Sequence, residues 1–201
     1  GEYTFTAKAY DDKGATAICE SVKIKVSSGI IANGIISDLI YSENDNLVFG
    51  LNQTTNKLLF INPETVSMTE LTLPSSQPFA MDYSLTDKKL YILYKFSGYI
   101  SVWDNVTKSL SIIEFSGIAD GKDIEVDAQN RRIYVLTNDG LFILDMDSGA
   151  VLLNDAPMQG TLIDLDPGLR FLFSADEGGS NLYKYSVSND ILILSQTRFN
   201  A

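Results

Sequence analysis

Four apolar runs, each entered from a polar turn, punctuate the chain: NLVFGL from Asn46, KLYILY from Lys89, RIYVLT from Arg132 and RFLFSA from Arg170. Their first apolar residues, Leu47, Leu90, Ile133 and Phe171, recur at steps of 43, 43 and 38 residues. A second series, LLFIN, ISVWD, LFILD and LYKYS, starts at Leu58, Ile100, Leu141 and Leu182, at steps of 42, 41 and 41. Two independent series with one period define a repeat, and a period in this range marks stacked or radial architectures.

Each unit has the same internal order. In the second, FAMDYS, LYILY, YISVWD and LSIIEF read as four strands separated by LTDKK, KFSG and NVTKS, which carry the turn-forming Asp, Asn, Gly and Ser. The middle strands are apolar on both faces (Leu47, Val48, Phe49; Leu90, Tyr91, Ile92, Leu93), as a sheet covered on both sides requires. No window shows a sustained 3.6-residue stripe. Four-stranded sheets repeated every 40 or so residues and covered on both faces describe β-propeller blades.

The second unit resembles the YVTN-type repeat of bacterial and archaeal surface-layer propellers. The matching residues are Pro78, Asp87 to Leu93, Ile100 to Asp104, and Thr107 with Lys108; the third unit matches at Arg132 to Leu136, Leu141 to Asp145, and Ser148 with Gly149. The resemblance implies a surface-associated propeller over residues 35–201. Trp103-Asp104 spells the WD dipeptide, but the corresponding pairs are Ile61-Asn62, Leu144-Asp145 and Tyr185-Ser186, and the chain has no histidine for a Gly-His signature. Trp103 is therefore expected to be a packing residue.

Ahead of the repeats, Tyr3, Phe5, Ala7 and Ala9 alternate with Glu2, Thr4, Thr6 and Lys8, DDKG supplies a turn, and Val22, Ile24 and Val26 alternate with Lys23 and Lys25. This is a hairpin pattern. Its Tyr3-x-Phe5 stretch resembles the tyrosine corner of immunoglobulin-like sandwiches, and residues 1–27 resemble the last two strands of a bacterial Ig-like or PKD-like domain. So short a segment cannot form a sandwich alone, and the expectation is the end of a neighbouring domain in a longer parent. The sequence thus predicts an all-β chain: an Ig-like hairpin remnant at 1–27, a linker at 28–34, and a partial propeller of about four four-stranded blades at roughly 35–77, 78–120, 121–160 and 161–201.

Charge and composition narrow the function. Fifteen basic against 26 acidic residues leave a net charge of −11, which repels nucleic acid and anionic lipid. No apolar run reaches the roughly 20 residues that span a bilayer, so direct membrane insertion is not expected. The lone Cys19 excludes an internal disulfide and multi-cysteine metal sites and reads as a small apolar residue. The lack of histidine removes Ser-His-Asp triads and the commonest general base.

Candidate chemistry is correspondingly thin. Asp145-Met146-Asp147-Ser148-Gly149 has the start of a calcium-loop spacing but no later acidic ligand, and reads as a turn. Asp164 and Asp166 are expected to point to opposite faces of an innermost strand and so not to form a carboxylate pair. Asp176 to Ser180 reads as a turn rather than a phosphate cradle, since no helix follows. No catalytic, cofactor or metal residue is assigned, and no cofactor is expected.

Propeller geometry places any ligand rim on the loops between the second and third strands and between blades: Asn52, Gln53, Lys95, Phe96, Asn138, Asp139, Asp176 and Glu177. The expected role is a non-catalytic binding or scaffold segment of a secreted or cell-surface bacterial protein, with a protein or carbohydrate ligand. The rivals are a fragment of a quinoprotein-like or lyase-like propeller enzyme whose catalytic residues lie outside this chain, and a purely structural surface-array element.

Overall fold

The computed structural model describes residues 32–115, 120–156, 158, 160–166, 168, 170–175, 182–188 and 191–197, together with strands at 2–5, 8–10, 16–18 and 22–25; for these four strands and for 154–156, 188 and 191–197 the backbone alone is described. Near the N-terminus, β1 (Glu2–Phe5) pairs antiparallel with β4 (Val22–Lys25), and β2 (Lys8–Tyr10) with β3 (Thr16–Ile18).

Beyond residue 35 lie four antiparallel sheets of four strands each, with no helix among the described residues, and the fold is a partial β-propeller. Blade 1 comprises β5 (Ile36–Ser42), β6 (Leu47–Asn52), β7 (Lys57–Asn62) and β8 (Ser67–Thr72). Blade 2 comprises β9 (Pro78–Ser84), β10 (Lys89–Tyr94), β11 (Tyr99–Asp104) and β12 (Ser109–Glu114). Blade 3 comprises β13 (Gly121–Asp127), β14 (Arg132–Thr137), β15 (Leu141–Asp145) and β16 (Val151–Ala156). Blade 4 comprises β17 (Leu162–Asp166), β18 (Phe171–Ala175), β19 (Leu182–Ser188) and β20 (Ile191–Thr197). Every sheet runs in chain order, so each blade is a simple meander. The first strands of successive blades neighbour one another, which makes them the inner strands; β8 and β12 are mostly exposed at the outer edge.

The core is three layers, one between each pair of blades. Blades 1 and 2 enclose Phe49, Leu51, Leu58, Met81, Leu90, Ile92, Tyr94 and Trp103. Blades 2 and 3 enclose Tyr91, Leu93, Ile100, Ile124, Val135 and Leu144, and blades 3 and 4 enclose Tyr134, Leu136, Ile143, Ile163, Leu172 and Tyr185. The two-faced apolar strands are thereby explained: in β10, Leu90 and Ile92 face back to blade 1 while Tyr91 and Leu93 face forward to blade 3. Burying each Leu or Ile side chain is worth about 1.5–3 kcal/mol. Trp103 is one of these packing residues, its ring 5.1 Å from that of Phe60 and its Nε1–H directed to Asn105 Oδ1.

The turns repeat as closely as the strands. Between third and fourth strands, Asn62, Asp104 and Asp145 each accept two backbone N–H bonds from residues two and three further on, the Asx-turn geometry that suits these side chains. Four residues after each, Val66, Lys108 and Gly149 close the turn at positive φ.

The candidate site at the mouth of the inner strands

Where the N-terminal ends of the four inner strands meet, a cavity of about 450 Å³ opens. Every blade contributes to it: Ser37 and Asp38 from β5, Phe79 and Ala80 from β9, Gly121 to Asp123 from β13, and Thr161 with Leu162 at the start of β17. Lys95, from the loop after β10, and Asn138, from the loop after β14, complete the rim with Asp120.

Close approach of blades 2 and 3 builds this mouth, and Gly121 permits it. A Cβ there would lie 2.8 Å from Leu93 Cγ and 2.9 Å from the Tyr94 carbonyl oxygen. Gly160, at a φ of 111°, likewise lets the chain enter β17 against Ala175, where a side chain would also collide with Ser174 Oγ.

The inner strands carry acids in two tiers, aligned by register: Asp38 and Asp123 near the mouth, and Asp82, Glu125 and Asp164 two positions deeper. Four of them follow one rule. Asp38 accepts the Leu39 N–H (2.7 Å) on its own strand and the Met81 N–H (2.8 Å) of the next blade. Asp82 accepts Tyr83 N–H (2.6 Å) and Val126 N–H (2.7 Å). Asp123 accepts Ile124 N–H (3.0 Å) and Ile163 N–H (2.8 Å), and Glu125 accepts the backbone N–H of Leu165. Each of these four carboxylates clips its own blade to the following one, supplying acceptors to backbone groups that inner strands cannot pair laterally.

Burial dominates the titration of Asp38, Asp82, Asp123 and Glu125. It pushes Asp123 up to about 6 from the ordinary 3.8, against the lowering effect of its two N–H bonds and with the charges of Asp38 and Asp82 adding to the rise. Burial also raises Asp38, Asp82 and, furthest, Glu125, whose neighbours Asp82, Asp123 and Asp164 add like-charge repulsion. Asp164 and Asp166 correct the expectation that they face apart. β17 runs through both without a break, and residues two apart on a strand share a face.

The ligand-rim residues expected from sequence are divided by the structure. Lys95 and Asn138 line the cavity. The Lys95 ammonium lies 5.5 Å from the centre of the Phe79 ring and 5.6 Å from that of Phe96, which is itself exposed; Asn138 donates through Nδ2 to Asp120. Asn52 is buried, its Nδ2 donating to the Asn33 carbonyl and its Oδ1 accepting from Thr55 N–H, so its amide ties its own loop to the segment ahead of β5. Gln53 is half-buried beside it, bonded through its backbone to Ile35. Asp139 is exposed and its N–H bonds to Thr137 Oγ1. Asp176 and Glu177 lie outside the described residues. Loop position alone passes over Ser37, Asp38, Asp120, Lys122, Asp123 and Thr161. One signal marked the inner acids: ISDLI, FAMDYS, KDIEVD and LIDLD each set at least one carboxylate among the apolar residues of a first strand.

Asp145 Oδ1 accepts from the N–H groups of Asp147 and Ser148 and from Ser148 Oγ, while Asp147 pairs with Arg131. Both carboxylates of the calcium-like spacing are thus committed to the turn and its neighbour.

No protein-family profile and no curated protein matches the chain. Solved structures do. The extracellular domain of a B. thetaiotaomicron protein provisionally called a one-component system matches at 21% identity over 72% of this chain and 20% of its own, with a TM-score of 0.58. A Bacteroides uniformis protein provisionally called a 6-phosphogluconolactonase matches at 13% identity over 98% of this chain and 65% of its own, with a TM-score of 0.65. A chain of a nidogen/laminin complex matches at 10% identity over 98% of this chain and 76% of its own, with a TM-score of 0.70. These likenesses establish the propeller fold. The chain spans one fifth of the first of these proteins and about two thirds of the second.

Proposed function

We propose that this chain is a non-catalytic binding segment of a secreted or cell-surface bacterial protein, and that it takes a protein or carbohydrate ligand at the mouth of the inner strands. The observation that carries the reading is the convergence there of two ammonium groups (Lys95, Lys122), carboxylates (Asp38, Asp120, Asp123), an amide (Asn138) and hydroxyls (Ser37, Thr161) around one cavity with an aromatic edge. A few polar groups fixed on rigid strands beside an apolar surface are what orient a polar ligand. The likeness to an extracellular Bacteroides domain supports the location, as do the YVTN-like repeats and the Ig-like hairpin pattern.

A second reading is favoured by Asp123, whose carboxyl, raised to about 6, is suited to general acid or base work. In that reading the chain is part of a propeller enzyme completed by residues elsewhere.

Binding to an array of neutral and uronic-acid oligosaccharides and to a displayed peptide library tests the first reading. Retained ligands should lose at least tenfold in affinity with Lys95→Ala or Asn138→Ala while the fold persists. Ligands insensitive to both changes, or none from either library, would sink it. Turnover of a bound ester or glycoside that Asp123→Asn abolishes would favour the second.

A further inference from the structure

The repeat provides its own control for which surfaces expect a partner. On the inner strands, Leu39, Met81, Ile124 and Ile163 are equivalent by register, opposite Gly50, Ile92, Val135 and Ser174. Met81, Ile124 and Ile163 are 4%, 1% and 6% exposed because each packs against the preceding blade; Leu39, on the first blade, is 59% exposed. Tyr41, equivalent to the buried Tyr83, is 55% exposed. The backward face of blade 1 is thus an apolar blade interface laid open.

The forward face of blade 4 is the other half. Every blade sets an aromatic residue opposite the deeper inner-strand position: Phe49 opposite Ile40, Tyr91 opposite Asp82, Tyr134 opposite Glu125 and Phe173 opposite Asp164. Phe49, Tyr91 and Tyr134 are fully or almost fully buried in the layer shared with the next blade, Phe49 lying 5.2 Å from the Tyr83 ring. Phe173 is half-buried, and its ring contacts among the described residues are to Phe171 and Lys184 of its own blade. Beside it, Asp164 holds the clip position from which Asp82 and Glu125 bind the next blade, and it is exposed.

We propose that these two faces are docking surfaces for further blades of the same polypeptide, encoded after this segment. The blade after β17–β20 would present a backbone N–H to Asp164 and an apolar inner-strand residue beside Phe173. The last of those blades would close on blade 1 and present a forward aromatic ring to Leu39 and Tyr41. The matching propellers favour this occupant, since the chain spans 65% of one and 76% of another, which leaves further chain in each.

The test compares residues 1–201 with the polypeptide extended through its flanking reading frame. In the extended protein, Leu39→Lys and Phe173→Lys should each lower Tm by about as much as the internal control Ile124→Lys. In the 201-residue chain both should leave Tm nearly unchanged while Ile124→Lys still lowers it. Where a lysine variant of the extended protein fails to fold, hydrogen exchange on the unmutated pair decides: amides of β5 and β18 should become as protected as those of β10 and β14 only in the extended protein. Equal protection in both forms, or a reading frame without flanking strand repeats, overturns the proposal. So does a 201-residue dimer dissociated by either lysine variant, which would make a second copy the occupant. A loss of Tm in the short chain matching that of Ile124→Lys would show that the two faces already meet, which also overturns it.

Discussion

Val66 sits at a φ of 57°, a conformation that a β-branched residue tolerates poorly. Gly149 fills the equivalent turn of blade 3 at a φ of 72°. Val66→Gly should therefore raise stability by about 0.5–1 kcal/mol, seen as a higher urea midpoint at unchanged slope. Gly121→Ala should act in the opposite direction, by about 1–3 kcal/mol, because the added methyl meets the Tyr94 carbonyl as well as the Leu93 side chain and backbone cannot give way as a side chain can. Thermal melts of the two variants side by side check both signs. Neither effect was legible in sequence: which residue takes positive φ, and which neighbour lies an ångström too near, depends on the packing of blades.

Between elements, successive blades are also joined through their first turns, and the joint shows how a repeat drifts without losing its function. Lys88, Arg131 and Arg170 hold the same positive-φ place in three turns and reach back to Asp45, Asp87 and Asp127 of the preceding blade. Blades 1 and 2 hold their acid against a serine three residues earlier, Ser42 with Asp45 and Ser84 with Asp87. Blade 3 exchanges the positions: Asp127 stands where the serine was, held by Asn130, and is completely buried. The three pairs should then differ in strength. Lys88 and Asp45 are 3.9 Å apart with the lysine half exposed, so Lys88→Ala should cost under about 0.5 kcal/mol. Arg170→Ala should cost about 1–3 kcal/mol, because it strands a buried carboxylate whose other bonds among the described residues are to Asn130. Urea denaturation of both variants gives the order, and equal losses would refute it. The strands and their period were plain in the sequence because short runs apolar on both faces, such as Leu90 to Leu93, suit a strand covered on each side and little else. This ladder was not, since its partners lie 43 or 44 residues apart and the acid changes position midway.

At the scale of the molecule, the acids of the inner strands make the propeller respond to pH in the sense opposite to ordinary surface carboxylates. A carboxyl whose folded pKa lies above its unfolded value stabilises the fold while protonated, and that contribution is lost as pH rises from the unfolded value through the folded one. For Asp123 the window runs from 3.8 to about 6, and Asp38, Asp82 and Glu125 act with the same sign. Asp45, Asp104, Asp145 and Asp147 have lowered values, and their contributions fail only below the ordinary carboxylate range. Stability should therefore be higher at pH ~4.5 than at pH ~7, and Asp123→Asn should shrink that difference; an unchanged difference in urea midpoint would contradict the assignment. The −11 net charge works in the same direction, since protonation relieves self-repulsion. Of the cavity at the mouth, Lys95 and Asn138 could be placed from loop position alone, whereas Asp38 and Asp123 could not, because they lie within first strands, which a search confined to loops passes over.

The clips also have a direction. Each carboxylate bonds its own strand and the one synthesised after it, from Asp38 to Met81, Asp82 to Val126 and Asp123 to Ile163. A blade emerging from the ribosome therefore carries a half-filled acceptor until its successor arrives.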